Sequence, residues 1–171
     1  MPASLSPQSR RKLLAHFNAL EDEKFVAHCL DLIYRGVDLN PFFRDSEFLY
    51  VDAVEHGLDE YTRHQTGLIY LAANPVYARN IYKLGKTRKS GMARMNSLET
   101  AGVLGSFVLA GSWPTRDVDR TETRCHQLLA HVRIDGEFFH LDYHALASAI
   151  NRVLIEEDQA FATLRELTIE R

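Results

Sequence analysis

The chain has few of the sequence features that are typical of secreted and membrane proteins. Its 171 residues include two cysteines, Cys29 and Cys125, which lie in different segments without C-x-x-C spacing. This excludes a disulfide framework and gives no support to a cysteine-based zinc site. No apolar run approaches the roughly 18 residues that a membrane-spanning helix needs, and residues 1–17 are polar and basic. The sequence therefore predicts an intracellular, cytoplasmic protein with one ordinary globular domain and a helical appendage.

Acidic residues are missing from one part of the chain. Residues 61–98 contain seven Lys and Arg residues and no Asp or Glu, so this segment carries a charge of +7. Each flank carries −5 (6 basic and 11 acidic residues in 1–60, 7 and 12 in 99–171), which gives the chain its net charge of −3. Because salt screens charges beyond about 8 Å, a local positive field attracts phosphates whatever the net charge. The alternative interpretation is an ordinary solvated basic face.

The first sixty residues have the spacing of helices. The predicted features are a helix that starts at Ser6-Pro7, a second helix that ends at Gly36, a turn at residues 39–41 and a third helix over residues 46–61. Nothing in this region resembles a catalytic cluster. We therefore predict a helical N-terminal region over residues 1–63, which covers the sheet, recognises a target, or mediates contact with a protein partner or a second copy of the chain.

From residue 67 the pattern changes to short apolar runs that alternate with helical segments. The predicted strands are residues 67–72, 80–85, 106–110 and 137–141, and the predicted helices are residues 92–100, 117–132 and 143–157. The connection between the first two strands is too short for a crossover helix, so we expect them to be antiparallel neighbours. The order predicts an α+β domain over residues 64–157, followed by a C-terminal helical tail over residues 158–171.

Four short motifs stand in order along this region. They are Gly67-x-x-Tyr70, Lys83-x-Gly85-Lys86-Thr87, Glu122-x-x-x-His126 and Glu137-Phe138-Phe139, and Arg94 follows the second of them. Taken singly, each residue has an ordinary explanation as a core aromatic or a surface charge. Taken together they suit phosphate chemistry: arginine offers a planar fork to phosphate oxygens, lysine offers a point charge, and one carboxylate is enough for a hydrated Mg²⁺.

The ordered set resembles the GIY-YIG nuclease superfamily, in particular the branch named after a phage T5 open reading frame and a meiotically up-regulated yeast gene. The second motif of that branch is K-x-G-K-T, and the resemblance covers about residues 66–142. It implies a small three-stranded antiparallel sheet flanked by helices. It also implies a metal-dependent endonuclease that hydrolyses DNA phosphodiester bonds with Mg²⁺ or Mn²⁺ as cofactor.

The resemblance further implies a role for each matching residue. Tyr70 orients or deprotonates the attacking water, Arg94 binds the scissile phosphate, and Glu122 holds the metal. Lys83 stands where the superfamily has its second tyrosine, and it is expected to be catalytic in place of that tyrosine. Contacts with phosphate or DNA are expected from Arg79, Lys86, Arg88, Lys89 and His126. His126 lies one helical turn after Glu122, and the alternative is that it packs between helix and sheet.

Two other interpretations stay open at this point. One is a catalytically inactive module of the same fold that binds DNA or a protein. The other is an unrelated α+β domain in which the motifs match by chance. Affinity for DNA without cleavage under any divalent metal favours the first of these.

Overall fold

The computed structural model describes residues 3–19, 21–45, 49–99 and 103–169 of the chain. The chain divides into two compact units, one formed by residues 1–64 and 158–171 and the other by residues 65–157. Each unit has its own hydrophobic core. Every helix in the described part of the chain is too short or too polar to span a membrane.

The first unit is mostly helical. Its elements are β1 (Ala3–Ser4), α1 (Pro7–Asn18), α2 (Asp22–Tyr34), β2 (Val37–Asp38), α3 (Asn40–Asp45) and α4 (Leu49–Gln65). The predicted start of α1 is confirmed, because the Ser9 amide donates a hydrogen bond to the Ser6 hydroxyl at 3.1 Å. The predicted end of α2 is also confirmed. Gly36 follows this helix with a φ of +73°, a conformation that glycine adopts without strain.

The structure corrects the sequence prediction at two places in this unit. The turn predicted at residues 39–41 is the beginning of α3, because the Asn40 amide donates to Asp38 Oδ1 at 2.9 Å and this contact starts a short helix. β1 and β2 form a parallel pair that was not predicted, since two-residue strands are too short to show alternation. The beginning of the helix predicted over 46–61, at residues 46–48, lies outside the described residues.

The core of the first unit is rich in aromatic rings. Phe25, Phe43 and Tyr50 are buried, and the Tyr50 ring centroid lies 5.6 Å from that of Phe25 and 6.3 Å from that of Phe43. Leu13 of α1 is fully buried in the same cluster. Aromatic side chains bury large apolar areas, so this cluster stabilises the helical unit.

The second unit is built on a five-stranded antiparallel sheet. Its elements are β3 (Gly67–Ala73), β4 (Ile81–Thr87), α5 (Gly91–Leu98), β5 (Val108–Thr115), α6 (Val118–Leu128), a 3₁₀ turn (Ala130–Val132), β6 (Arg133–Asp135), β7 (Phe138–His140) and the first part of α7 (Tyr143–Ile169), a helix whose residues from 158 onward belong to the first unit. The strand order is β5-β3-β4-β7-β6, and each neighbouring pair is antiparallel. The α+β class and the predicted pairing of the first two strands are therefore confirmed.

The prediction of a three-stranded sheet is wrong. β6 was missed because Arg133, Ile134 and Asp135 are all exposed, so the strand has no buried face to create an apolar alternation. β5 continues to residue 115, beyond the predicted end at residue 110, and includes Pro114. A proline is tolerated there because β5 lies at the edge of the sheet.

The alternation of β3 and β4 sorts the site residues onto two faces of the sheet. Tyr70 is the register partner of Gly85 and is buried with Met95 of α5. Leu84 is buried on the other face, in the core that α6 and α7 complete. Because successive strand residues point to opposite faces, Gly85 belongs to the α5 face and Lys86 to the α6 face.

A buried carboxylate joins β5, α6 and α7. Glu157 is 3% exposed and accepts hydrogen bonds from the hydroxyls of Thr115 and Thr121 and, at 2.8 Å, from the amide of Arg116. The Thr115 hydroxyl in turn accepts from the Asp117 amide at 3.1 Å. Sequence analysis missed Glu157, because nothing near it in the chain distinguishes it from the other acidic residues of α7. The network fixes the first turn of α6.

We expect Glu157→Ala to lower the free energy of unfolding by about 3 kcal/mol, since two buried hydroxyls and an amide lose their acceptor. Glu156→Ala is the matched control. Glu156 is about 35% exposed and pairs with Arg124, so its loss costs at most about 1 kcal/mol. Urea-induced unfolding followed by circular dichroism measures the free energy of unfolding of both variants. Equal losses in the two variants would contradict the prediction.

Candidate functional site

Two carboxylates of α6 hold the ammonium group of Lys86. Lys86 Nζ lies 2.7 Å from Glu122 Oε2 and 2.9 Å from Asp119 Oδ1. The two acids are three residues apart on the helix and therefore face the same side. Arg88 adds a second cation, with Nη2 at 3.0 Å from Asp119 Oδ2. Sequence analysis did not single out Asp119, although its spacing from Glu122 is a usable signal.

These contacts shift the pKa values within the cluster. Hydrogen bonds to Glu122 and to Asp119 raise the pKa of Lys86, against the opposing effect of partial burial. The hydrogen bond from Lys86 lowers the pKa of the Asp119 carboxyl, again against the effect of burial. Lys86 is therefore a permanent cation and Asp119 a permanent anion at neutral pH.

Glu122 also borders an open cleft of about 330 Å³ beside α6. The other residues that line the cleft are Thr123, His126, Gln127, Ala130 and Arg133. The Glu122 side chain is about 15% exposed, and its contact with Lys86 is made through Oε2. The Glu122 carboxylate is thus paired with a cation and also faces the open cleft.

The donors at this cleft suit a hydrated Mg²⁺ rather than a metal enclosed by protein ligands. In the described parts of the chain, no group of three or more His, Cys, Asp or Glu residues is placed to hold a metal ion. Mg²⁺ keeps most of its waters and binds through one or two carboxylates, whereas structural zinc takes four protein ligands. Cys125 has no exposed surface, and burial raises the pKa of its thiol to about 12.

Tyr70 and Arg94 make a separate contact on the α5 face. Arg94 Nε donates to the Tyr70 hydroxyl at 3.2 Å, and the guanidinium carbon lies 5.9 Å from the Tyr70 ring centroid. Tyr70 has no exposed surface. Its hydroxyl lies over Gly85, where an added Cβ would be 2.6 Å from the Tyr70 oxygen. The glycine of the second motif thus makes room for the tyrosine of the first.

Lys83 is bound by Glu137 of the fourth motif. The Lys83 ammonium forms an ion pair with the Glu137 carboxylate and lies 5.4 Å from the ring centroid of Phe138. The pairing of β4 with β7 brings these residues together, since Lys83 is the register partner of Phe138. Sequence analysis did not predict this contact, because Lys83 and Glu137 are 54 positions apart and no local pattern reports it.

The basic residues of the +7 segment do not form one free patch. Carboxylates bind Lys83, Lys86 and Arg88, and Arg94 contacts Tyr70. Arg79 and Lys89 are exposed. The surface open to an external anion is therefore smaller than the charge count predicts.

Four of the predicted site residues form two groups. The structure brings Lys86 together with Glu122 and Tyr70 together with Arg94, whereas no hydrogen bond or ion pair among the described residues joins Arg94 to Glu122. Tyr70 lies over Gly85, and Lys86 is the next residue of β4, with its Cα about 3.8 Å further along. The two groups therefore lie at one level of β4 on opposite faces of the sheet.

The second unit matches a known protein family. A family model described as the T5orf172 domain matches residues 67–154, slightly more than half of the chain. The match includes all four motifs and extends 12 residues beyond the resemblance predicted over residues 66–142, into α7. No curated protein and no solved structure matches.

Proposed function

Since the chain belongs to the T5orf172 domain family, which is part of the GIY-YIG/HNH-like endonuclease group, we propose that it is a metal-dependent endonuclease that hydrolyses DNA phosphodiester bonds. The observation that carries the proposal is the ion pair of Glu122 with Lys86 at the border of an open cleft. It combines a carboxylate that can hold a metal with a cation that can receive a phosphate oxygen.

In this proposal Glu122 holds Mg²⁺ or Mn²⁺. When bound, the metal would neutralise charge at the phosphate and would help to activate a water molecule. Lys86 contacts a non-bridging phosphate oxygen and stabilises the charge that develops there. The Glu122 carboxylate and the Lys86 ammonium bind each other in the free protein, so neither is left as an uncompensated charge before the substrate arrives.

Arg94 is the proposed phosphate contact on the α5 face. The buried Tyr70 hydroxyl accepts from Arg94 Nε, and the Ser97 hydroxyl oxygen accepts from Nη1 of the same guanidinium at 3.3 Å. Tyr70 thus positions Arg94 in this structure. The role of Tyr70 toward the attacking water stays a prediction. So does the catalytic role of Lys83. The proposed contacts with the DNA backbone are made by the exposed residues Arg79 and Lys89 and by Arg88. Because these contacts are electrostatic, we expect DNA affinity to fall steeply as the salt concentration rises.

A second candidate function is a DNA-binding module without catalysis. It is favoured by the mutual neutralisation of the charged groups: Lys86 binds both Glu122 and Asp119, and Lys83 binds Glu137. In such a site a metal competes with an internal cation for the same carboxylates.

A cleavage assay separates the two candidates. Supercoiled, linear and single-stranded DNA are incubated with the full chain in Mg²⁺, in Mn²⁺ and in EDTA. We expect cleavage with either metal and none in EDTA. A gel shift without cleavage under any metal would contradict the endonuclease and support the binding module, and the absence of both would contradict the two proposals together.

A further inference from the structure

His126 is fixed in the structure through both of its ring nitrogens. Nε2 lies 3.2 Å from the Leu84 carbonyl oxygen, and Nδ1 lies 3.2 Å from Nη2 of Arg133. A carbonyl oxygen only accepts hydrogen bonds, so Nε2 carries the proton and Nδ1 is the acceptor for Arg133. The ring also packs edge-on against Phe139, with the centroids 5.1 Å apart. His126 therefore has no nitrogen left for a substrate.

Arg133 is held at several points although it lies on the surface. Its Nε donates to the Gly136 carbonyl oxygen, its Nη2 donates to His126, and its guanidinium carbon lies 5.9 Å from the ring centroid of Phe139. No described residue hydrogen-bonds to Nη1. A planar guanidinium fixed on one side presents its remaining N–H donors in one direction, which is the arrangement that binds phosphate oxygens.

Arg133 and Glu122 line the same cleft. A volume of about 330 Å³ corresponds to about eleven waters of liquid, which is room for a phosphodiester group with a hydrated ion. The cleft thus has an anchored cation on β6 and a carboxylate on α6. Sequence analysis did not consider Arg133, because it lies in the strand that was missed.

We propose that Arg133 binds a backbone phosphate of the nucleic acid in the cleft that Glu122 borders, and that His126 is the positioning residue of Arg133. This inference rests on the proposed function, and it gives His126 of the third motif a role through Arg133. Because the guanidinium is already fixed, binding a phosphate costs little side-chain entropy. Arg133 then recognises the phosphodiester itself, whatever the base.

The test measures DNA affinity in EDTA, so that cleavage does not enter. Arg133→Met is compared with the wild-type chain and with Arg152→Met, a matched loss of one positive charge at an exposed arginine of α7 that does not line the cleft. Each phosphate contact contributes about 0.9 to the slope of log K against log salt. We expect Arg133→Met to reduce this slope by about one and to weaken binding about eightfold at 0.1 M salt, with less than a twofold change for Arg152→Met.

The positioning role of His126 is tested in the same assay. His126→Ala frees the guanidinium and is expected to cause most of the loss of DNA affinity that Arg133→Met causes. The double variant is expected to bind no more weakly than Arg133→Met alone. His126→Asn keeps an acceptor near the position of Nδ1 and is expected to restore part of the affinity. A residue that only supports the fold would show additive losses and no rescue.

Three outcomes would contradict the inference. If the wild-type chain binds DNA and Arg133→Met binds equally well with the same salt slope, the inference fails and the proposed function stands. If the wild-type chain binds no DNA, both fail. Arg133→Lys keeps the charge but not the fork, so it provides a second variant if Arg133→Met does not fold, and wild-type affinity in Arg133→Lys would contradict the guanidinium contact.

Discussion

We expect Glu122→Gln to reduce metal-dependent cleavage by about 10²–10³-fold while the chain stays folded. An amide is nearly the same size as a carboxylate but carries no charge, so it is a poor ligand for Mg²⁺ and releases Lys86 from its closest partner. Glu156→Gln is the control, since this carboxylate of α7 also forms an ion pair, with Arg124, but does not line the cleft. The rate of DNA cleavage and the affinity for Mn²⁺ are the two measurements.

Removal of the other member of the ion pair gives a contrasting result. Lys86→Met leaves Glu122 and Asp119 without the ammonium that bridges them, so a divalent ion no longer competes with an internal cation. We therefore expect higher Mn²⁺ affinity in the absence of DNA and slower cleavage, because the phosphate loses its lysine. Calorimetric titration with Mn²⁺ alone measures the affinity. If Glu122→Gln and Lys86→Met change it in the same direction, the assignment of the metal to Glu122 is wrong.

The second large effect is expected from Gly85→Ala. A Cβ at this position would lie 2.6 Å from the hydroxyl oxygen of Tyr70 and 2.8 Å from its Cζ, closer than real Cβ contacts. The Tyr70 ring is fully buried with Met95 and cannot move aside without disturbing that cluster. We expect a loss of about 3 kcal/mol in the free energy of unfolding and a weakened contact between Tyr70 and Arg94. Urea-induced unfolding measures the stability.

A double-mutant cycle tests whether the clash with Tyr70 is the cause. Tyr70→Leu shortens the side chain and removes the three atoms that the new methyl group meets, the hydroxyl oxygen, Cζ and Cε1. Gly85→Ala is then expected to cost at least about 1 kcal/mol less in the Tyr70→Leu background than in the wild-type chain. If Gly85→Ala lowers the free energy of unfolding equally in both backgrounds, glycine is required for another reason, such as the backbone of β4.

Local signals predicted some parts of this fold well and others poorly. The Ser6-Pro7 start of α1 and the Gly36 end of α2 depend on hydrogen bonds and backbone angles within a few residues, so the sequence shows them directly. The ends of strands depend on partners that are distant in the sequence. β6 is visible only through its pairing with β7, and Pro114 is tolerated only because β5 is an edge.

The same distinction holds for the site. Residue types that suit phosphate chemistry are visible in the motifs, whereas their partners are not. The contacts of Lys83 with Glu137 and of Lys86 with Glu122 depend on the register of β4 with β7 and on the position of α6 over the sheet. The separation of Tyr70 from Lys86 is the exception. It follows from the parity of strand positions, once the pairing of Tyr70 with Gly85 is known.

The position of Glu157 has a practical consequence for isolating the nuclease-like unit. The family match ends at residue 154, three residues before this carboxylate. An excised fragment that stops at residue 154 would leave Thr115, Thr121 and the Arg116 amide without their buried acceptor. A fragment for crystallisation or activity assays therefore has to include residue 157, so family boundaries alone are a poor guide for expression of this domain.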